Sequence, residues 1–127
     1  MSYLHERTQQ IVAQLKVTGG IPVYDNVAMG CDFLGAVIDS HIKQKDVILM
    51  LSIDGAQLYQ SKESDCWIYI WILLNLSPEK RYKKVNVIPG EFIPGPNKPQ
   101  NVDSFLFPGL HHVSALQKEG LLIWDSI

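Results

Sequence analysis

The apolar positions of this chain change rhythm along its length. Leu4, Ile11 and Leu15 recur at helical spacing behind Ser2, a residue type that caps helices, and Gly19-Gly20 supplies a stop. Ile21-Pro22-Val23-Tyr24 reads as a short extended piece that Pro22 confines to a sheet edge. Val27, Cys31, Leu34 and Ile38 then give a second amphipathic helix starting at Asn26, which fades into the charged stretch Lys43-Gln44-Lys45-Asp46.

The rhythm then shifts to strands. Val47 to Ile53 is a continuous apolar run that stops at Asp54-Gly55, and the lack of polar alternation predicts a central strand buried on both faces. Trp67 to Leu74 predicts a second strand, with Trp67, Tyr69, Trp71 and Leu73 on one face and Ile68, Ile70, Ile72 and Leu74 on the other. A polar connection from Asn75 to Lys84 follows, in which Ser77-Pro78-Glu79 marks a turn or a short helix start. Val85-Asn86-Val87-Ile88 and Glu91-Phe92-Ile93 predict a third strand interrupted by a bulge or bend at Pro89-Gly90. After the stiff, solvent-facing loop Pro94 to Pro99, Asn101 or Asp103 caps a helix with Val102, Leu106, Leu110, Val113 and Leu116 on one face. Pro108 is expected to kink or split that helix, and Gly120 to end it. Leu121 to Asp125 predicts a fourth extended piece. The expected architecture is α/β: two helices as a lead-in over 1–46, then over 47–127 three antiparallel strands, a crossover helix and a short fourth strand. A parallel return of the fourth strand beside the first gives the opening of a ribonuclease H-like core.

Composition narrows the classes. With 127 residues, 46% of them hydrophobic, the chain is long enough for one small domain and too apolar for wholesale disorder. Its longest apolar run, nine residues from Cys66 to Leu74, falls short of the roughly 20 that a membrane helix needs, so no membrane partner is expected. The first residues lack the basic-then-apolar layout of a signal peptide, which predicts an intracellular protein. Cys31 and Cys66 lie far apart with no CxxC spacing, which argues for reduced, buried thiols rather than a disulfide or zinc scaffold. Eleven Lys and Arg against 13 Asp and Glu exclude a strongly basic nucleic-acid coat, though not a local patch.

Few residues carry candidate chemistry. Asp54 ends the first strand run, where Asp-Gly is a turn signal and, in a ribonuclease H-like core, the place of the first metal-binding carboxylate. A two-metal site needs two or three carboxylates; Asp125, at the end of the fourth extended piece, is the one other acid that the strand order brings near, and a terminal solvated acid is its plainer reading. His111 and His112 are helix neighbours whose side chains diverge, and His5 and His41 lack partners at ligand spacing. Lys80, Arg81, Lys83 and Lys84, with Lys98 beyond the third strand, form the one basic cluster, readable as weak phosphate contacts or as a solvated loop. Trp67, Tyr69 and Trp71 offer base-stacking surfaces or, more plainly, core.

Several segments together resemble the transposases of CACTA (En/Spm-type) transposons, in versions spread through fungal genomes. They are Leu51-Ser52-Ile53-Asp54-Gly55, the strand Trp67 to Leu74, Ser77-Pro78-Glu79-Lys80-Arg81-Tyr82, Ile93 to Pro99, Asp103 to Pro108 and Ile123-Trp124-Asp125. The likeness covers roughly Val23 to Asp125 and looks like the N-terminal part of a catalytic domain. It implies a DDE transposase with a ribonuclease H-like fold, Mg²⁺-dependent cleavage and joining of DNA ends, DNA as the partner of the intact parent protein, and action in the nucleus. Asp54 matches the family's first catalytic, metal-binding acid. The family's second acid, usually followed shortly by Pro-Ala, and its later glutamate have no counterparts here, nor do its zinc-binding and end-recognition regions. The expectation is therefore a transposon-derived fragment inactive by itself. Two rivals stand beside it: a minimal metal pair of Asp54 and Asp125, and a domesticated, non-catalytic interaction module whose exposed sheet edge pairs with another protein chain.

Overall fold

The computed structural model describes residues 3–21, 23–57, 65–95 and 97–122. They form a mixed α/β chain in which a three-stranded antiparallel sheet accompanies four α-helices. The helices are α1 (Tyr3–Thr18), α2 (Cys31–Ile38), α3 (Pro78–Arg81) and α4 (Val102–Glu119). The strands are β1 (Leu49–Gln57), β2 (Asp65–Leu73) and β3 (Val87–Pro94), in the spatial order β1-β2-β3. No helix among the described residues is long and apolar enough to cross a membrane. The chain divides into two compact units, one of residues 1–51 and 71–88 and the other of 52–70 and 89–127. The division falls within strands β1, β2 and β3.

In the first unit, α1 buries Leu4, Thr8 and Ile11, one residue per turn. Thr8 is tolerated on that face because its hydroxyl donates to the Leu4 carbonyl at 2.6 Å. Gly19, at φ 72°, closes the helix by donating its N–H to the Leu15 carbonyl at 2.9 Å, the left-handed ending that glycine permits. The continuous helix expected from Asn26 is broken instead. Asn26 caps a 3-10 turn, Val27–Met29, and Gly30 in extended conformation separates that turn from α2. The restart turns Cys31 outward, so the expected buried thiol is found at Cys66 alone. Ala28, Met29 and Leu34 join Leu4, Ile11 and Leu74 in the core, with Ile48 and Met50 packed against them. The described residues of the 21–24 segment form no strand.

Two polar side chains complete this unit. Asn75, buried, accepts the Ile48 N–H on its Oδ1 at 2.7 Å and donates from Nδ2 to the Asp46 carbonyl at 2.9 Å. Its amide thereby extends the pairing that the Leu74 N–H begins at the Ile48 carbonyl, just ahead of β1. Arg81, only 5% exposed, turns inward from α3. Its Nε donates to the Leu76 carbonyl, and its Nη2 to the carbonyls of Leu74 and Leu76, at 2.8 to 3.1 Å.

In the second unit, Tyr69 of β2 is the packing centre. It is 2% exposed and meets Phe105 of α4 edge-on, with ring centroids 5.2 Å apart and planes at 73°. A Cβ added at Gly90 would fall within the Tyr69 ring edge, and one at Gly109 would lie 2.5 Å from the Tyr69 hydroxyl. These two glycines exist to admit the ring. That need explains two departures from expectation. Strand β3 runs unbroken through Pro89-Gly90, because β3 is an edge strand, where a missing N–H is tolerated, and Gly90 makes room rather than a bend. Helix α4 presents Phe105 and Gly109 to Tyr69, which leaves Leu110, expected on the buried face, 46% exposed.

Helix α4 continues through Pro108 as one element. Both Pro108 and Ser104, whose carbonyl loses its i+4 donor, are exposed, so water can satisfy the freed oxygen. The Asn101 side chain caps the helix by accepting the Ser104 N–H at 3.1 Å, and Gly120, at φ 76°, ends it. Leu121 and Leu122 lie in no regular element, and the rest of the expected fourth strand, Ile123 to Asp125, lies outside the described residues.

Candidate functional site

Asp54 lies inside β1 rather than at its end, since the strand continues to Gln57. The Asp-Gly pair is therefore not a turn. Its carboxylate is exposed, and Oδ1 accepts the N–H of Gly55 at 2.8 Å. Gly55 carries no positive φ, and a Cβ there would meet the Trp67 indole at an ordinary 3.5 Å. Among the described residues, β1 stands at one end of the order β1-β2-β3, where the apolar run predicts a central strand. The apolar run of residues 47–53 serves a different neighbour: Ile48 and Met50 pack against the α1 and α2 core, a demand that a sequence cannot distinguish from burial between strands. The central strand is β2, which buries Tyr69 on one face and Cys66 and Ile72 on the other.

A two-metal phosphoryl-transfer centre brings two or three carboxylates within reach of both ions. No group of three histidine, cysteine, aspartate or glutamate side chains gathers among the described residues, at Asp54 or elsewhere. Asp125, the other acid that the sequence pointed to, lies outside the described residues. Asp54 is an exposed carboxylate whose Oδ1 accepts the neighbouring Gly55 N–H, and a carboxylate acting alone is a weak ligand for Mg²⁺.

The basic cluster separates into two kinds of residue. Lys80 is exposed on α3, Lys83 and Lys84 on the segment that joins α3 to β3, and Lys98 in the loop before α4. Arg81 is not part of that surface, because its Nε and Nη2 are committed to main-chain carbonyls inside the first unit. It serves the fold where a phosphate contact was expected. The alternation of Lys80, Arg81 and Tyr82 contains no signal that would single out the middle residue as buried.

Two features escaped the sequence. One is a small pocket of the first unit, about 90 Å³, lined by the apolar Leu4, Phe33, Val37, Ile42 and Ile48 and by polar residues that include His5, Lys43, Asp46 and Asn75. It holds space for a few waters at most. Tyr69 takes the plainer of its two expected places, the core, and the other feature is its setting: its hydroxyl pKa is raised first by burial and then by the nearby charge of Glu91. Its aromatic ring is unavailable for base stacking, and Trp67 and Trp71 are half-buried. The chain matches no protein-family model, no curated protein and no solved structure.

Proposed function

We propose that this chain is a transposon-derived protein, equivalent to the opening strands of a DDE transposase catalytic domain of the ribonuclease H-like kind, and not catalytic by itself. The observation that carries the reading is the placement of Asp54. The Ser-x-Asp-Gly segment lies on the first strand of a three-stranded antiparallel sheet, with the carboxylate exposed, and a helix follows the third strand. The lone carboxylate is consistent with a piece of a metal centre whose other acids come from later chain. In the parent protein the partner would be DNA and the setting the nucleus.

A second reading, a non-catalytic interaction module, is favoured by one observation. Among the described residues, β1 and β3 each have a neighbour on one side only, and β1 carries no proline and a single charge, Asp54, along its length. The genomic sequence following the Ile127 codon distinguishes the two readings. A continuing frame with an aspartate followed shortly by Pro-Ala, and a glutamate beyond it, supports the transposase origin. Unrelated sequence in all frames removes its main support and leaves the interaction module.

A further inference from the structure

The segment Pro78–Asn86 is hydrogen-bonded at both ends, and its inward and outward residues have separate tasks. Inward, Arg81 ties it to the carbonyls of Leu74 and Leu76. Asn86 closes it from the other end: its backbone N–H donates to the Lys83 carbonyl at 2.8 Å and its side-chain Nδ2 to the Lys80 carbonyl at 2.9 Å. The Lys80 carbonyl also accepts the Lys83 N–H at 3.1 Å. These bonds fix the backbone from Leu74 to Asn86. Outward, they leave Lys80, Tyr82, Lys83, Lys84 and Val85 exposed, with Tyr82 61% accessible. Three ammonium groups thus stand on one short segment against a single carboxylate, Glu79, in a chain whose formal charge is −2. The positive charge is concentrated where the backbone is cinched and an aromatic ring is presented to solvent.

We propose that this segment is a contact site for single-stranded nucleic acid, in which Lys80, Lys83 and Lys84 meet consecutive phosphates and the Tyr82 ring stacks on an unpaired base. The charge complementarity selects a polyanion. The exposed aromatic ring between lysines selects a strand with free base faces, because a duplex buries its base faces in its own stack. A fixed backbone means that little conformational freedom is lost on binding. The site needs no carboxylate and no metal, so it stands or falls independently of the transposase reading.

The test is fluorescence anisotropy of a labelled 20-nucleotide single-stranded DNA titrated with the full chain at several salt concentrations. Three phosphate contacts give a slope of log K against log salt of about −2, from roughly −0.7 per contact. Lys83→Ala/Lys84→Ala together reduce that slope to about −0.7 by the same relation. Tyr82→Ala lowers the association constant about five- to 150-fold with the slope unchanged, while Tyr82→Trp retains binding. Lys118→Ala, in α4, changes neither quantity. All these positions are exposed, and unchanged circular dichroism melting verifies that the variants fold. Absence of binding at low salt, a slope indifferent to the lysine substitutions, equal affinity for the duplex, or binding to phosphatidylserine vesicles but not to the oligonucleotide each overturns the proposal.

Discussion

The hydroxyl oxygen of Tyr69 lies 2.5 Å from where a Cβ on Gly109 would be, so helix α4 approaches β2 at a point where no side chain larger than hydrogen fits. Gly90 of β3 meets the same ring still more closely. Phe105 packs edge-on against Tyr69, and the ring is almost fully buried, so it has little room to move aside. Gly90→Ala and Gly109→Ala are each expected to destabilise the protein by about 1–3 kcal/mol, the range for overpacking a filled core. Gly55→Ala, whose added methyl meets Trp67 at ordinary contact distance, should fall within about 0.5 kcal/mol of the parent. Chemical denaturation of the three variants checks the contrast.

Arg81→Ala removes the donors to the Leu74 and Leu76 carbonyls and leaves buried oxygens without them. A loss of about 2–4 kcal/mol is expected, from roughly 1–3 kcal/mol for each unsatisfied buried group with partial relaxation. Lys80→Ala, one residue earlier and exposed, should change stability by less than about 0.5 kcal/mol. If the two substitutions cost the same, Arg81 is not the structural residue described.

Asn75→Ala deletes both the acceptor of the Ile48 N–H and the donor to the Asp46 carbonyl. The expected cost is about 1–3 kcal/mol, because a buried donor and acceptor lose partners together. Amide hydrogen exchange gives a local readout: the Ile48 amide should lose protection in the variant by more than the global loss of stability accounts for.

Much of the local structure could be read from residues acting on their own backbone. Gly19 and Gly120 end helices in left-handed conformation, Asn101 caps α4, and Pro78 opens α3, all signals contained within a few positions. The misread features depend on partners distant in sequence. Gly90 read as a bend until the Tyr69 ring gave it a steric role, and Asn75 read as loop although it pairs across 27 residues with Ile48. Arg81 read as surface charge because its carbonyl partners carry no sequence signature. Asp54 was legible as a residue of interest, but its place inside a strand rather than at its end was not, and Ile48 and Met50 owe their apolar character to the helices.

Tyr69 also sets an alkaline limit. Burial and the Glu91 charge raise its pKa above the ordinary tyrosine value of 10.0, so the folded state holds the phenol proton where the unfolded state releases it. With more protons bound in the folded state, stability falls as pH rises. The contribution is complete below about pH 10, declines above it, and is gone once the folded-state phenol itself ionises. Tyr69→Phe should therefore flatten the fall of melting temperature above pH 10, and tyrosinate absorbance at high pH should show one late-titrating group missing from the variant.

The proposal that this chain is not catalytic by itself turns on Asp54, at which no group of three metal-ligating side chains gathers among the described residues. The most direct measurement is conversion of supercoiled plasmid to nicked circles by the purified chain in Mg²⁺ or Mn²⁺, run beside Asp54→Ala. No metal-dependent nicking above the protein-free control is expected, and no difference between the two proteins. Metal-dependent nicking that disappears in Asp54→Ala would contradict the proposal and show that this chain assembles a working site.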